Sequence, residues 1–286
     1  MPELPEVETI RRQLAEQIVG QIIKSVEVVA DKAFIGNSQS VVGKKVTGVD
    51  RRAKLLLIKL GDKLALNIHL KMTGQLVYLP NETKLNLKEK QKGPYAITHL
   101  PNQYTRVILV LSQGRLFFND LRRFGWVKVL KNYRQQWQQA DDRLGPEALS
   151  SQFNTDYLVN VVSKTKRAIK LVLLDQEKIA GIGNIYANEV LFMAGVMPTR
   201  PANSLSRKEI EKLVQATKKI LAQAVKHRGT SDKDDAYRQL DGNKGAFQNY
   251  LKIYGKQSTH CPNCQEQIKK IQLGGRGTYF CQRCQR

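Results

Sequence analysis

Apolar residues recur at helical spacing near the start of the chain. Those on the shared face, three or four positions apart, are Val7, Ile10, Leu14 and Ile18. Gly20 follows the last of them, and glycine is frequent at the C-terminal end of helices. The pattern therefore predicts a helix over residues 5–20, and the proline-rich residues before it lead directly into that helix.

After this helix the pattern changes to short strands joined by turns. Four apolar segments form two pairs, 55–60 with 64–70 and 106–112 with 115–121. Each pair surrounds a glycine-containing turn, as hairpins do. In 64–70 strongly apolar residues alternate with others, which predicts one buried face and one face in water. Repeated short strands with few helical patterns indicate a β-sandwich or a barrel-like domain.

The second half of the chain has a helical character. Residues 131–143 are polar and predict a connector, and residues 229–250 are polar and favour a loop. The stretches with apolar residues at helical spacing are 157–175, 184–195 and 205–227. We predict an α+β multidomain fold with three parts: a β-sandwich with an N-terminal helix at 1–132, a helical domain at 133–255 and a small cysteine ribbon at 256–286.

The charge of the chain narrows its class of partners. The 286 residues include 47 Lys plus Arg against 25 Asp plus Glu, a formal net charge of +22. Such an excess favours a polyanion, above all nucleic acid, although charge that only maintains solubility is the alternative. No apolar run approaches the roughly 18 residues of a membrane helix. Residues 2–8 are acidic where a secretory signal would be basic, so we expect a cytoplasmic protein with reduced thiols.

The cysteines form two C-x-x-C pairs, with sixteen residues between them. The pairs are Cys261 with Cys264 and Cys281 with Cys284. This spacing is typical of a four-cysteine zinc site, and the residues between the pairs predict a hairpin. We therefore expect a zinc ribbon that depends on one structural Zn²⁺ for folding. A closed tetrahedron leaves no position for substrate, so no catalytic role is predicted; two disulfides are the alternative.

Three other segments hold candidate binding residues, each with a plainer alternative. Asn184 follows two glycines and can cap the next helix, whose free N–H groups would bind phosphate; a packing turn is the alternative. In DLRRFGW at 120–126, the arginines and Phe124 could grip DNA and enter a base stack, or the aromatic residues could belong to the core. Arg276, after a hairpin turn, would face a phosphate or only solvent.

Two residues near the strands are ambiguous from pattern alone. Met72 has the parity of the buried positions before it, yet the following Thr73-Gly74 favours a loop tip. Lys54 in RRAKLLL is most simply a solvated strand lysine.

Pro2 can carry chemistry if the initiator methionine is removed, because its secondary amine then becomes the α-amino group. Such groups titrate at about pH 8, so a useful fraction is nucleophilic at neutral pH. A secondary amine that attacks the anomeric carbon of a sugar forms a cationic iminium, which acts as an electron sink. Glu3 would then move protons. The alternative is that Pro2 and Pro5 only stiffen the start of the helix.

Several segments together, in order and over nearly the whole chain, resemble the formamidopyrimidine-DNA glycosylase family. They are PELPEVETIRR at 2–12, RRAKLLL at 51–57, HLKMTG at 69–74, DLRRFG at 120–125, GIGNIYANEVLFMAG at 181–195 and the cysteine pairs. The resemblance implies a bifunctional DNA glycosylase and AP lyase of base-excision repair. Such an enzyme excises 8-oxoguanine and formamidopyrimidines through a proline iminium, followed by β,δ-elimination. A helix–two-turn–helix domain, damaged double-stranded DNA as partner, no organic cofactor, no membrane and a monomeric state are also implied.

The resemblance further implies roles for individual residues. The catalytic set would be Pro2 as nucleophile, Glu3 as proton-transfer acid, Glu6 as supporting carboxylate and Lys54 as a phosphate-contacting lysine of the pocket. Residues that would fill the gap left by the flipped nucleotide are Met72, Arg122 and Phe124. Those that would hold phosphates are His69, Asn184, Tyr254 and Arg276. Thr230 and Ser231 would belong to the loop that covers the flipped base.

The chain departs from the family pattern at several places, and two other functions remain as alternatives to that of the family. Leu121 stands where members usually have proline, and residues 229–242 contain acidic residues where an aliphatic residue is usual. An endonuclease VIII-like glycosylase for oxidised pyrimidines is one alternative, although its members resemble PEGPE at the start and lack the set of Met, Arg and Phe. The other is a non-enzymatic zinc-ribbon nucleic-acid-binding protein, which would fit if Met1 is retained.

Overall fold

A computed structural model describes residues 1–81, 99–231 and 237–286. The chain divides into two compact units. Unit 1 comprises Met1–Asp141 and His227–Gln248, and unit 2 comprises Asp142–Lys226 and Asn249–Arg286. The chain therefore leaves unit 1 after the strands and returns to it for a short segment before the C-terminal residues.

The elements of unit 1 are helices α1 (Leu4–Ile18) and α2 (Tyr133–Asp141), with strands β1 (Ile23–Val28), β2 (Phe34–Ile35), β3 (Gly48–Arg52), β4 (Leu55–Leu60), β5 (Leu64–His69), β6 (Gly74–Pro80), β7 (Thr105–Leu111), β8 (Gly114–Asp120) and β9 (Trp126–Lys131). Those of unit 2 are helices α3 (Thr155–Val162), α4 (Ile169–Leu174), α5 (Asn184–Ala194) and α6 (Arg207–Lys226), with strands β10 (Lys269–Leu273) and β11 (Arg276–Phe280).

Helix α1 begins close to the chain start because the local sequence favours it there. Glu3 is the N-cap, and Pro5 lies in the first turn, where a proline loses no intrahelical hydrogen bond. The predicted apolar face is buried: Val7, Ile10, Leu14 and Ile18 are at most 1% exposed. Each such side chain contributes roughly 1.5–3 kcal/mol of burial free energy. The predicted helix is thus confirmed, and it is firmly attached to the core.

Two sheets pack around this core and confirm the predicted sandwich. Sheet A has the strand order β1-β7-β8-β6, and sheet B has the order β2-β9-β5-β4-β3. One hydrophobic cluster contains residues from both sheets and from α1, for example Leu66 of β5, Phe118 of β8 and Ile10. Helix α1 packs against β3 and β4. The N-terminal residues are therefore placed beside the turn that joins those two strands.

The predicted exposed face of residues 64–70 is wrong for most of its length. Ala65 is 0% exposed and Asn67 is 6% exposed, so strand β5 is covered on both faces. Ala65 packs in a second apolar cluster with Leu130 and Tyr133. Tyr133 belongs to α2, which forms where the sequence predicted only a polar connector. Helix α2 therefore supplies the cover for the outer face.

Unit 2 is helical with a two-stranded ribbon. The predicted stretch 157–175 contains two helices, α3 and α4, separated by residues 163–168. In α6 the predicted apolar stripe is buried, including Ile210, Leu213 and Leu221. The ribbon of β10 and β11 confirms the predicted hairpin, with Leu273 paired to Arg276 across the turn. Across the described part of the chain, no helix is both long and apolar enough to span a membrane.

Candidate active site and nucleic-acid interface

The start of α1 gathers three of the predicted catalytic residues. Pro2, Glu3 and Glu6 are all buried, although two of them are carboxylic acids. The backbone N–H of Glu3 donates to Glu6 Oε2 at 2.8 Å. A carboxylate in the first turn also faces the positive end of the helix dipole. The hydrogen bond fixes the backbone directly after Pro2, so the position of the proline is defined by the helix.

Glu6 also holds a second segment of unit 1 in place. Its Oε1 accepts a hydrogen bond from the Thr230 N–H at 2.7 Å. Gly229 has φ of +79°, and a Cβ at this position would lie 2.8 Å from Glu6 Oε1. Backbone conformation and space therefore both require glycine. One buried carboxylate thus joins Glu3, the neighbour of Pro2, to the segment that contains Thr230 and Ser231.

Both predicted loop residues are buried and hydrogen-bonded. Thr230 is 3% exposed and Ser231 is 6% exposed. The Ser231 hydroxyl donates to the Tyr237 carbonyl at 2.8 Å and accepts from the Gly245 N–H at 3.0 Å. Burial and the nearby Glu6 carboxylate raise the pKa of Tyr237. The acidic residues predicted to be unusual fall mainly at 232–236, outside the described residues.

Lys54 lies in the turn between β3 and β4 and is only 8% exposed, so it is not a solvated strand lysine. The preceding Ala53 has φ of +51°, and its carbonyl accepts from Arg51 at 2.9 Å. The Arg51 Nε in turn donates to Glu8 Oε2 at 3.0 Å. Because Glu8 belongs to α1, this chain of contacts fixes the Lys54 turn to the helix that carries the other candidates. Sequence reasoning missed Glu8 and Arg51.

Glu8 is surrounded by cations. Its carboxylate accepts from Arg11, Arg12 and Arg51 at 2.8–3.0 Å. Burial opposes its charge, but the three guanidinium groups prevail and lower the pKa of Glu8 to about 2. It therefore stays ionised in any ordinary buffer and keeps Arg51 in position.

His69 ends strand β5 as a neutral ring. Burial, followed by the positive charges of Lys71 and Lys54, lowers the pKa of His69 to about 3. Its Nδ1 accepts from the Lys71 N–H at 2.9 Å, so the ring proton is on Nε2. The ring contacts Trp126 with centroids 5.9 Å apart. A neutral ring with one fixed N–H donor is suited to a phosphate oxygen.

The residues predicted to enter DNA lie on two neighbouring loops of unit 1. Met72 is half-buried in the turn after β5, which agrees with a loop tip and not with a core position. Phe124 is 55% exposed, so it is not a core residue. The Arg122 guanidinium lies 5.0 Å from the centre of the Phe124 ring. We call Met72, Arg122 and Phe124 the insertion cluster.

In unit 2 a cavity of about 420 Å³ lies beside the start of α5. Its lining includes Asn184, Tyr254 and Lys270 together with Gly277 and Tyr279 of the ribbon. The N-cap of α5 is Gly183, so the predicted capping role of Asn184 is wrong. Asn184 is instead the first helical residue, and its amide donates to the Gly277 carbonyl at 3.1 Å. Arg276 is exposed at the start of β11, one residue before Gly277.

Polar residues that sequence reasoning missed hold this cavity together. Glu189 of α5 is 4% exposed and accepts three backbone N–H bonds, at 2.8–2.9 Å, from residues 252–254. Asn188 accepts from the Tyr279 N–H at 2.8 Å. Lys170 is 0% exposed and donates to the Gly277 carbonyl at 2.9 Å and the Thr278 hydroxyl at 2.7 Å. The sequence signal that could have identified these residues is a polar or charged side chain within an otherwise apolar helical segment.

The four cysteines converge at the base of the ribbon. Their sulfur atoms all lie within 4.8 Å of one another. Cys261 Sγ is 3.8 Å from Cys284 Sγ, and Cys264 Sγ is 3.4 Å from Cys281 Sγ. Zn–S bonds of about 2.3 Å in a tetrahedron require sulfur separations close to 3.8 Å. The cysteines are free thiols rather than disulfides, and the donor set fits zinc.

Comparison with known families covers most of the chain. Residues 1–127 match the formamidopyrimidine-DNA glycosylase N-terminal domain, and residues 144–235 match the H2TH domain of the same family. Residues 258–286 match the zinc finger found in FPG and IleRS. The family matches therefore cover the sheets, the helical region and the cysteine ribbon.

Whole proteins give the same result. The formamidopyrimidine-DNA glycosylase of Carboxydothermus hydrogenoformans is 40% identical over the full length of both chains, and that of Listeria monocytogenes is 38% identical over the same extent. The structure of MutM (Fpg) from Thermus thermophilus is 37% identical, has a TM-score of 0.85 and matches 99% of this chain and 98% of its own. Lactococcus lactis Fpg bound to DNA with an oxidised pyrimidine has a TM-score of 0.86 at 31% identity, with 99% of each chain covered. The chain belongs to the formamidopyrimidine-DNA glycosylase family.

Proposed function

We propose that the protein is a bifunctional DNA glycosylase and AP lyase that excises oxidised purines, 8-oxoguanine and formamidopyrimidines, from double-stranded DNA. The proposal rests on the arrangement of residues at the start of α1. A buried proline at position 2 is followed by two buried carboxylic acids whose geometry is fixed by hydrogen bonds. A proline needed only for stiffness does not require this costly burial of two acids.

In this proposal the mature chain begins at Pro2, and its amine attacks the anomeric carbon of the damaged nucleotide. The glycosidic bond breaks with its electrons on the departing base, which takes up a proton. Glu3 protonates the sugar ring oxygen, which opens the ring and leaves an iminium between Pro2 and the sugar. Glu3, now a carboxylate, then takes up the C2′ proton as the 3′ phosphate leaves, and a second elimination expels the 5′ phosphate. Water finally releases the sugar fragment from Pro2.

In this scheme Glu6 and the loop residues position the reacting groups and do not react themselves. Glu6 holds the backbone beside Pro2 and also binds the N–H of Thr230. We assign Thr230 and Ser231 to the segment that covers the extruded base. Closure of that segment and alignment of the amine would then depend on the same carboxylate. Lys54, which follows the Ala53 carbonyl that Arg51 binds, would bind a phosphate near the lesion.

The remaining predicted residues would bind the DNA itself. Solved relatives are complexes of Lactococcus lactis Fpg with DNA that contains an abasic site or N7-benzyl-Fapy-dG. We propose that the insertion cluster fills the gap left by the extruded nucleotide, because unstacking costs a few kcal/mol. His69, Asn184, Tyr254 and Arg276 would hold phosphates. One structural Zn²⁺ on the four cysteines would keep the ribbon folded, without a chemical role.

Borohydride trapping tests the nucleophile. The protein is mixed with a duplex that contains one 8-oxoguanine, and borohydride reduces any iminium to a stable covalent adduct. We expect an adduct with the processed protein, a much weaker one with Pro2→Gly, whose primary amine replaces the secondary amine, and none with a variant that retains Met1. An otherwise identical duplex with an oxidised pyrimidine measures the competing endonuclease VIII-like specificity, and stronger trapping there would overturn the purine assignment.

Pro5→Gly is the matched control for this test. Pro5 lies in the first turn of α1, whereas only Pro2 can become an N-terminal amine. If the two prolines merely stiffen the helix start, both substitutions should reduce trapping alike. Equal loss in the two variants, or an undiminished adduct in Pro2→Gly, would sink the assignment of Pro2. Complete absence of trapping by the processed wild-type protein would favour a non-enzymatic DNA-binding role.

A further inference from the structure

The insertion cluster is built from two loops that are distant in sequence. Met72 lies in the turn at 71–73 between β5 and β6, whereas Arg122 and Phe124 lie in the loop at 121–125 between β8 and β9. Side chains that enter a base stack together must keep fixed positions relative to one another. Something must therefore hold the two loops in a fixed register.

The carboxylate of Asp120 contacts both loops. Its Oδ1 accepts from the Thr73 hydroxyl and, at 3.2 Å, from the Arg122 N–H. Its Oδ2 accepts from the Gly125 N–H at 2.7 Å. The side chain thus spans the loop that bears Arg122 and Phe124 and joins it to the turn that bears Met72.

Thr73 closes the connection from the other side. Its hydroxyl donates to Asp120 and accepts from the Arg122 N–H at 3.0 Å. The Met72 turn and the Arg122 backbone are therefore tied by one hydroxyl that is used as both donor and acceptor. Thr73 is 5% exposed and Asp120 is 1% exposed, so water does not compete for these bonds.

The backbone of Asp120 is held by hydrogen bonds, so its side chain is a fixed point of attachment for both loops. Its backbone N–H donates to the Tyr104 carbonyl at 2.8 Å, and its carbonyl accepts from Arg106 Nε at 2.9 Å. Gly125 leaves no room for adjustment, because a Cβ there would lie 3.2 Å from Asp120 Oδ2 and 2.7 Å from the Phe118 ring. The loop backbone is therefore packed directly on the carboxylate.

We propose that Asp120 and Thr73 are positioning residues that hold the two loops in register, so that Met72, Arg122 and Phe124 enter duplex DNA together. This inference rests on the proposed function. Neither residue touches the reacting sugar, so the pair acts only through the insertion cluster. The pair should therefore affect trapping on a duplex, where a gap must be filled, and not trapping on single-stranded DNA.

The test compares trapping on a duplex and on a single strand that carry the same abasic site. We expect Asp120→Asn and Thr73→Val to reduce the duplex rate by roughly tenfold to a hundredfold, as misplaced binding groups do, and to change the single-strand rate by about twofold or less. Thr73→Ser keeps the hydroxyl and should restore the duplex rate. Asp62→Asn, the same change at an exposed turn, is the matched control.

A second measurement follows insertion without chemistry. A 2-aminopurine placed beside the abasic site reports the disturbance of stacking as fluorescence. Phe124→Ala gives the signal expected when insertion fails, and we expect Thr73→Val and Asp120→Asn to resemble it.

Three results would overturn the inference: equal losses on duplex and single strand, a wild-type fluorescence signal in both variants, or failure of Thr73→Ser to recover. If Asp120→Asn does not fold, the two threonine variants still decide. Failure of the proposed function gives a different result, because wild-type protein would then show no trapping on either DNA.

Discussion

His69 illustrates how the surroundings of one side chain set its chemistry. The sequence offers a histidine at a strand end, and the resemblance suggests a phosphate contact. Only the structure supplies the partly buried ring, the two nearby lysines and the Nδ1 contact that make it neutral. A neutral ring binds phosphate by one hydrogen bond and adds no charge, so its contribution to DNA affinity should depend little on pH above 5.

The same environment predicts an acid sensitivity of the fold. Folding lowers the pKa of His69 from its ordinary value of 6.5 to about 3, so the unfolded chain binds a proton more readily. Stability present above pH 6.5 is therefore lost as the pH falls toward 3. Between pH 7 and pH 5 we expect this histidine to cost up to about 2 kcal/mol of unfolding free energy.

Urea unfolding at the two pH values measures this effect. His69→Gln should reduce the pH dependence of the unfolding free energy, whereas His99→Gln, at an exposed ring, should leave it as in the wild type. Glu8, with its pKa of about 2, does not titrate in this interval. Identical pH dependence in wild type and His69→Gln would contradict the prediction.

Sequence reasoning found the candidate residues that carry recognisable chemistry and missed those that hold them. A proline behind methionine, a glycine-flanked asparagine and paired C-x-x-C cysteines are visible in one dimension. Only a weak indication of Asp120 is present in the sequence. In strand β8 it continues the alternation of Leu116 and Phe118, so its carboxylate lies on the same buried side of the strand. Contacts such as Glu8 with Arg51 join residues 43 positions apart and have no local signature.

Helix α2 shows how elements with a weak pattern escape prediction. Its sequence is mostly polar, with Tyr133 and Trp137 as apolar contacts. Two aromatic residues four positions apart lie on one helical face and pack on Leu57, Ala65 and Leu130 of sheet B. Strong periodicity in α1 and α6 predicted these helices correctly; the boundary between α3 and α4 was hidden because both helices are apolar.

Removal of one α2 contact tests this role. Tyr133 is 9% exposed and packs with Leu57, Ala65 and Leu130. We expect Tyr133→Ala to lower the unfolding free energy of the sandwich by about 2–4 kcal/mol, because a large buried ring leaves a cavity. Arg134→Ala, next to it on an exposed face, should change stability by about 0.5 kcal/mol or less. A similar small change in both variants would mean that α2 is only a connector.

The chain as a whole is strongly cationic, and each of its two units contains different candidate phosphate contacts. Lys54 and His69 belong to unit 1, whereas Asn184, Tyr254 and Arg276 belong to unit 2. A net charge of +22 supplies general attraction to DNA, which falls steeply with salt. Charge alone therefore predicted the class of partner, and it could not predict which residues meet the phosphates.

Removal of the metal tests whether the ribbon of unit 2 depends on zinc while unit 1 does not. Strand β10 is exposed along nearly its whole length, and the small apolar cluster beneath the ribbon includes the cysteines Cys261 and Cys281 themselves. We expect a chelator to unfold the ribbon and weaken DNA binding by at least about tenfold, because the fold of such ribbons depends on metal. Hydrogen exchange should show the strands of unit 1 still protected, and added Zn²⁺ should restore binding. Unchanged DNA affinity in metal-free protein would refute the structural role of zinc.

The return of residues 227–248 to unit 1 also has a consequence for synthesis on the ribosome. Tyr237 and Leu240 belong to the sandwich core, and the Leu240 carbonyl accepts from the Tyr78 N–H at 3.0 Å. Gln13 of α1 accepts from the Leu240 N–H at 3.0 Å. When the first 141 residues have left the ribosome, this part of the core is still missing. The nascent sandwich therefore lacks this part of its core until the intervening 85 residues of unit 2 and the returning segment itself have been translated.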